Sequence, residues 1–181
     1  CATGTPQNLT AITNAAVNSG QSGRVVMYGL VAPTVGVSCV LRLSFTGTID
    51  EIWLGATIVS GANQTGGTTT FANGTSSLAT SAAPALTITS ATGNYTVAGI
   101  AGPELVSNPS QTIIFEDEGG VSTTGAATRA TGAATVVHDW DFNSSVTWGM
   151  AGTDIVAAGG APSGAPRLLL MGVGGEGCEE Y

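Results

Sequence analysis

Residues 24–32 read Arg24-Val-Val-Met-Tyr-Gly-Leu-Val-Ala32. Val25, Met27, Gly29 and Val31 alternate with Val26, Tyr28 and Leu30, which is the period-two pattern of a strand and not the 3.6-residue period of a helix. The same period returns along the chain. Residues 38–46 place Cys39, Leu41, Leu43 and Phe45 on one side, against Val40, Arg42 and Ser44. Residues 51–59 line up Ile52, Leu54, Ala56 and Ile58. Leu86 and Ile88 alternate with Thr87 and Thr89, and residues 94–101 and 112–116 read as two more strands. Residues 134–142 set Ala134, Val136, His138, Trp140 and Phe142 against Thr135, Val137, Asp139 and Asp141, and residues 146–156 line up Val146, Trp148 and Met150. Turn dipeptides such as Ala32-Pro33, Gly66-Gly67, Gly102-Pro103 and Gly119-Gly120 punctuate the strands. No segment carries an apolar stripe at helical spacing with cap residues.

The fold class that follows is all-β: a single β-sandwich, jelly-roll or Greek-key-like, of about eight to ten strands. Its expected core holds Val26, Tyr28, Leu41, Leu43, Phe45, Leu54, Ile88, Ile113, Phe115, Trp140 and Trp148. Residues 64–83 and 118–132, rich in Gly, Thr and Ser, read as long surface loops.

The last apolar block is Arg167-Leu168-Leu169-Leu170-Met171-Gly172-Val173. It is apolar on both faces, so it belongs between two covered layers; left in solvent it is a hydrophobic patch and an open template for aggregation. Gly and Pro in residues 159–166 read as a linker. The chain therefore divides into a sandwich body (1–158), a linker (159–166), and a C-terminal strand with its tail (167–181). That strand completes a sheet either in an adjacent subunit or, as a permuted strand, in its own.

Composition narrows the function. The 181 residues include no Lys, four Arg and twelve carboxylates, for a net charge of −8. Nucleic-acid binding needs clustered cations that this chain lacks. No apolar stretch approaches the roughly 18–20 residues of a membrane span. Low charge and abundant Thr, Gly and Ala point to an extracellular, cell-surface or virion-surface setting. Five Asn-x-Ser/Thr sequons, at Asn8, Asn63, Asn73, Asn94 and Asn143, are candidate glycosylation sites in a secreted chain.

Several stretches resemble a group of bacterial and phage surface β-sandwich modules. They are Arg24-Val-Val-Met-Tyr-Gly-Leu-Val-Ala-Pro33 with Gly36, Ser60-Gly-Ala-Asn-Gln-Thr65, Thr89-Ser-Ala-Thr-Gly93, Gly132-Ala-Ala-Thr-Val136 with Trp140, and Trp148-Gly-Met-Ala-Gly-Thr-Asp-Ile155. The resemblance covers roughly residues 24–157 and implies a secreted module without catalysis. In those modules a strand of the form Arg-Leu-Leu-Leu-x-Gly-Val opens the domain. Here it stands at the other end, as residues 167–173, which implies circular permutation or service to a neighbour. The strand that follows it in the modules corresponds to the region after Cys1. A Cys1–Cys178 disulfide would then lock the strand in place, across subunits or within one, under oxidising conditions.

Catalytic constellations are thin. His138 is the sole histidine. A Ser-His-Asp triad would need it as base, yet no Gly-x-Ser-x-Gly elbow accompanies it, and it reads as a structural strand residue. One His and three scattered Cys lack the spacing of a zinc site. Asp139 and Asp141, two residues apart on one strand, are weak Ca²⁺ candidates. Trp53 falls opposite Ile52 and Leu54 and is the candidate for a surface contact with a sugar ring. The expectation is a non-enzyme without cofactors. Its leading reading is a structural subunit of an extracellular filament or surface assembly, a homopolymer joined by donation of its C-terminal strand. The alternative is a secreted or phage-tail carbohydrate-binding adhesion module whose partners are surface glycans.

Overall fold

The computed structural model describes residues 7–18, 23–33, 40–42, 44, 52–118, 124–159 and 168–174. The chain is all-β. Its strands are β1 (Thr10–Asn18), β2 (Arg24–Leu30), β3 (Ile52–Ile58), β4 (Phe71–Ser81), β5 (Ala85–Thr89), β6 (Tyr95–Gly102), β7 (Val106–Ser107), β8 (Thr112–Glu118), β9 (Thr124–Thr131), β10 (Thr135–Asp139), β11 (Asp141–Phe142), β12 (Val146–Ile155) and β13 (Leu168–Gly174). One 3₁₀ turn, Gly67–Thr70, precedes β4. A four-stranded sheet runs β1-β2-β13-β3 and a five-stranded sheet runs β4-β12-β6-β9-β8, with every pairing antiparallel. Two short pairs, β10-β5 and β11-β7, stand apart from both.

The inner strands of the five-stranded sheet, β12, β6 and the first part of β9, are buried on both faces, and alternation sorts its residues. Val97, Ala101, Ala127, Ala151 and Ile155 point to the four-stranded sheet, where they meet Ile12, Val25, Met27 and Trp53. Ala98, Ile100, Ala126, Trp148 and Met150 point the other way and meet Leu86, Ile88, Val106, Trp140 and Phe142 from the short pairs. The sandwich therefore carries a partial third layer. A strand covered on both faces reads as a continuous apolar or small-residue run, which is the pattern of β6 and β12.

Close approach between layers explains the small residues. A Cβ on Gly125 would lie 2.6 Å from both Cβ and Cγ of Trp53, and one on Gly152 would lie 2.5 Å from Cδ1 of Ile88. Large side chains from the outer layers thus sit on bare backbone of the middle sheet.

The two expected loops are corrected. Residues 64–83 contain β4, and 118–132 contain β9. β9 (Thr-Gly-Ala-Ala-Thr-Arg-Ala-Thr) holds no large apolar side chain, so it carried no hydrophobic alternation; its Gly and Ala are what two covering layers require. Of residues 38–46 only 40–42 and 44 are described, and they lie outside any strand. Val40 is 79% exposed and Leu41 half-buried, while Cys39, Leu43 and Phe45 lie outside the described residues.

The expected core is right at Ile88, Trp140 and Trp148, which are buried. Phe115 is partly buried and packs against two clusters. On β2 the faces are exchanged: Val25, Met27 and Gly29 are buried, and Val26 and Tyr28 only half-buried. On β3 the exchange is complete. Trp53 and Gly55 face inward, whereas Ile52, Leu54 and Ile58 face out. Ile113 is also exposed. Both faces of these strands carry apolar residues, so hydrophobicity alone could not orient them. The large-on-small packing of Trp53 over Gly125 did.

Gly125→Val should be destabilising by about 1–3 kcal/mol, because the added methyls collide with Trp53. Urea denaturation monitored by tryptophan fluorescence checks this. Val137→Thr, on the exposed face of β10, should stay within about 0.5 kcal/mol of the parent chain.

Candidate functional site: the β13 slot and the buried polar groups

β2 and β3 do not pair with each other. Each pairs in full with β13, which lies between them. Leu168 stands opposite Leu30 and Ile58, Leu170 opposite Tyr28 and Ala56, and Val173 opposite Val25 and Trp53. Arg167 and both cysteines of the proposed lock, Cys1 and Cys178, lie outside the described residues. The strand that comes late in the sequence thus occupies the middle of a sheet, with a seven-residue ladder on each side. In the single chain the slot is occupied by the chain's own β13.

His138 of β10 faces the central sheet and is fully buried. Its Nδ1 lies 2.8 Å from Thr128 Oγ1 on β9, and its Nε2 lies 2.9 Å from Thr96 Oγ1 on β6. Burial lowers its pKa from 6.5 to about 4, against a smaller opposing pull from Asp139. Both ring nitrogens are held by threonine hydroxyls in a buried layer, so the imidazole acts as a neutral tether between layers.

Asp154 is the second buried ionisable group. Ser90 Oγ donates to its Oδ1 at 2.6 Å, and Asn94 Nδ2 donates to its Oδ2 at 2.8 Å. Asn94 Oδ1 in turn accepts from the Ala157 amide at 2.9 Å. Burial raises the Asp154 pKa, and the two donors partly offset this. The network ties the β5–β6 turn to the end of β12.

Asp139 and Asp141 do not share a ligand-like pocket. Asp139 accepts from the amide and hydroxyl of Ser110, both at 2.9 Å, and Asp141 faces Asn108 Nδ2 at 3.4 Å. Their carboxylates pin the segment after β7. Among the described residues no group of three or more His, Cys, Asp or Glu is placed to hold a metal.

Trp53, expected at the surface, is 6% exposed and packs with Val25, Ala101 and Ala151. The sequons also divide. Asn8, Asn73 and Asn143 are exposed, although Asn73 Nδ2 donates to the Thr89 carbonyl. Asn63 caps a turn by accepting from the Thr65 amide and hydroxyl of its own sequon. Asn94 is buried with its amide nitrogen committed to Asp154, and the sequon's Thr96 is buried against His138. An enzyme that glycosylates folded chains has no access there.

One feature escaped sequence reasoning. A groove of about 490 Å³ opens between β1, β2 and the start of β4, lined by Thr10, Ile12, Thr13, Val31, Thr69 and Phe71 among others. Beside it β1 breaks register between Ala11 and Ala16, with Asn14 at φ 60°. The Asn at that position was the only local signal. No helix among the described residues is long and apolar enough to cross a membrane.

No family model matches the chain, and no curated protein or solved structure matches it.

The His138 environment sets a pH dependence. The folded-state pKa lies below the unfolded value of 6.5, so the unfolded chain takes up the proton first. The contribution of neutral His138 is fully present above pH 6.5 and is lost as pH falls through about 4. Asp154 has the opposite sign: its pKa is raised, so the penalty of its charge disappears in acid. Chemical denaturation at a series of pH values should therefore show stability falling between pH 6.5 and 4, and His138→Gln should flatten that slope. Asp154→Ala should cost about 1–3 kcal/mol at neutral pH, because the donors of Ser90 and Asn94 lose their acceptor.

Proposed function

We propose that the chain is a structural subunit of an extracellular filament or surface assembly, joined by exchange of β13 between neighbouring subunits. The observation that carries this reading is the position of β13. It is the central partner of two strands that have no ladder with each other. A sheet built that way is incomplete without this strand, whichever chain supplies it. A strand from a neighbour offers the same seven residues, the same register and the same two ladders as the strand of the chain itself. Swapped and unswapped forms then differ in linker strain and protein concentration and not in contacts made, which is the condition for domain swapping. The Gly/Pro-rich residues 159–166 are suited to lead the strand out of its own body, since eight residues span at most about 26–29 Å. A head-to-tail exchange that does not close on itself grows into a filament.

The low charge and the single, buried, hydroxyl-bound histidine support a non-catalytic role. The carbohydrate reading is weakened because Trp53, its aromatic platform, is buried.

Non-reducing denaturing electrophoresis of the purified chain tests the proposal. Linkage of Cys1 to Cys178 across subunits should give a ladder that collapses with reductant, whereas linkage within one chain leaves a monomer band. Deletion of residues 164–181 should abolish filaments in negative-stain micrographs. Filaments that persist after the deletion overturn the exchange.

A further inference from the structure

Tyr95 opens β6 and Arg129 stands near the close of β9, at one end of the five-stranded sheet. Arg129 is in register with Val97, and Thr131 with Tyr95. By alternation Tyr95 and Arg129 share the face that Val97 and Ala127 turn to the four-stranded sheet. They are diagonal neighbours on that face, about 7–8 Å apart, a separation that an aromatic ring and a long side chain bridge. Together with Thr57 and Ser60 from the end of β3 they line a pocket of about 90 Å³. The pocket marks where the interior meets solvent, since Val97 is 1% exposed and Tyr95 42%. The guanidinium of Arg129 has no hydrogen-bond or ion-pair partner among the described residues, and no carboxylate lines the pocket. The chain holds twelve carboxylates for four arginines, so a cation left without one is not explained by scarcity.

We propose that this pocket binds an acidic sugar, with the guanidinium of Arg129 on the carboxylate and the ring of Tyr95 against the pyranose. A guanidinium presents a planar fork that matches the two oxygens of a carboxylate. The pocket has room for a carboxylate and its neighbouring carbons but not for a pyranose, so the sugar ring stays outside. There Tyr95 offers an apolar face with a polar tip. The hydroxyls of Thr57 and Ser60 both donate and accept, which suits the sugar hydroxyls beside the carboxylate. A carboxylate on a peptide would use the fork and leave the ring and the two hydroxyls idle. A neutral sugar would leave the cation idle. Trp53 is buried and serves no such contact, whereas Tyr95 is open to solvent. The site goes beyond the assembly reading and does not rest on it, because its residues come from β3, β6 and β9 and not from β13.

A two-dimensional NMR titration with methyl glucuronide and methyl galacturonide tests the proposal, with methyl glucoside and N-acetylglutamate α-amide as controls. At least one acidic glycoside should bind with a dissociation constant on the order of millimolar, shifting the amide signals of Tyr95 and Arg129. Added salt should weaken it, because the pocket is open to solvent. Arg129→Gln should weaken binding about tenfold, the scale of a lost hydrogen bond to a charged group. Arg129→Lys should fall between the two, since it keeps the charge and loses the fork. Tyr95→Ala should weaken the acidic glycosides about threefold and leave N-acetylglutamate α-amide unchanged. Arg129 is exposed, so circular dichroism should report the parent fold for its variants, and Tyr95→Leu serves where the alanine disturbs the sheet. Failure of both acidic glycosides to bind overturns the proposal, and so does binding that survives Arg129→Gln. Equal binding of methyl glucoside shows that the charge is not read, which also overturns it. Equal binding of N-acetylglutamate α-amide shows that the carboxylate alone is read and removes the sugar.

Discussion

Much of this fold answers to one constraint: the inner strands of the five-stranded sheet, β6, β9 and β12, are covered on both sides. A strand with one wet face can alternate large apolar and polar residues, but a strand pressed between two layers must fit side chains from both. The chain meets this by thinning the middle sheet. Ala98, Ala101, Ala126, Ala127 and Ala151 are each essentially inaccessible, and Gly102, Gly125 and Gly152 leave bare backbone for Phe142, Trp53 and Ile88. At these positions bulk comes from the outer layers, where the rings of Trp53 and Phe142 span the gap. Interior packing density leaves little room for change at such contacts, so the unusual abundance of Gly and Ala is a packing requirement and not a sign of looseness.

The same constraint governs what could be read from the sequence. Strands with one wet face, such as β5 and β10, declared themselves through strict alternation of Leu86 and Ile88 with threonines, and of Val136 and His138 with Thr135 and Val137. β12 was recognised because Trp148 and Met150 share a face. β9 was not, since Gly125, Ala126 and Ala127 give no hydrophobic contrast. β4 was missed because its outer positions, among them Ser76 and Thr80, resemble loop composition. The face of β3 was misjudged for a related reason: Ile52, Leu54 and Ile58 outnumber Trp53 in apolar residues, yet one tryptophan over a glycine fills the interior better.

Of the candidate site, the importance of the strand at 168–174 was legible from its double-sided apolarity. Its exact place between β2 and β3 was not, because sheet order depends on pairings between residues distant in sequence. The role of His138 as a tether needed its two threonine partners, one from β6 and one from β9, and no local pattern links the three. Asp154 was passed over because nothing near it in sequence marks a buried carboxylate; its donors, Ser90 and Asn94, come from a turn some sixty residues earlier. A single buried acid held by a hydroxyl and an amide stabilises a turn geometrically.

The position of β13 also has a consequence for biogenesis. A ribosome delivers β2 and β3 long before it delivers the strand that joins them, so both present open edges while the rest of the chain is being made. Pairings between distant segments form slowly, because loop-closure entropy must be overcome before any ladder rewards it. During that interval the edges of β2 and β3 that β13 will join stay unpaired, so the arrival of this late strand is the step that closes the four-stranded sheet, and the exposed edges are the part of the nascent chain most open to mispairing.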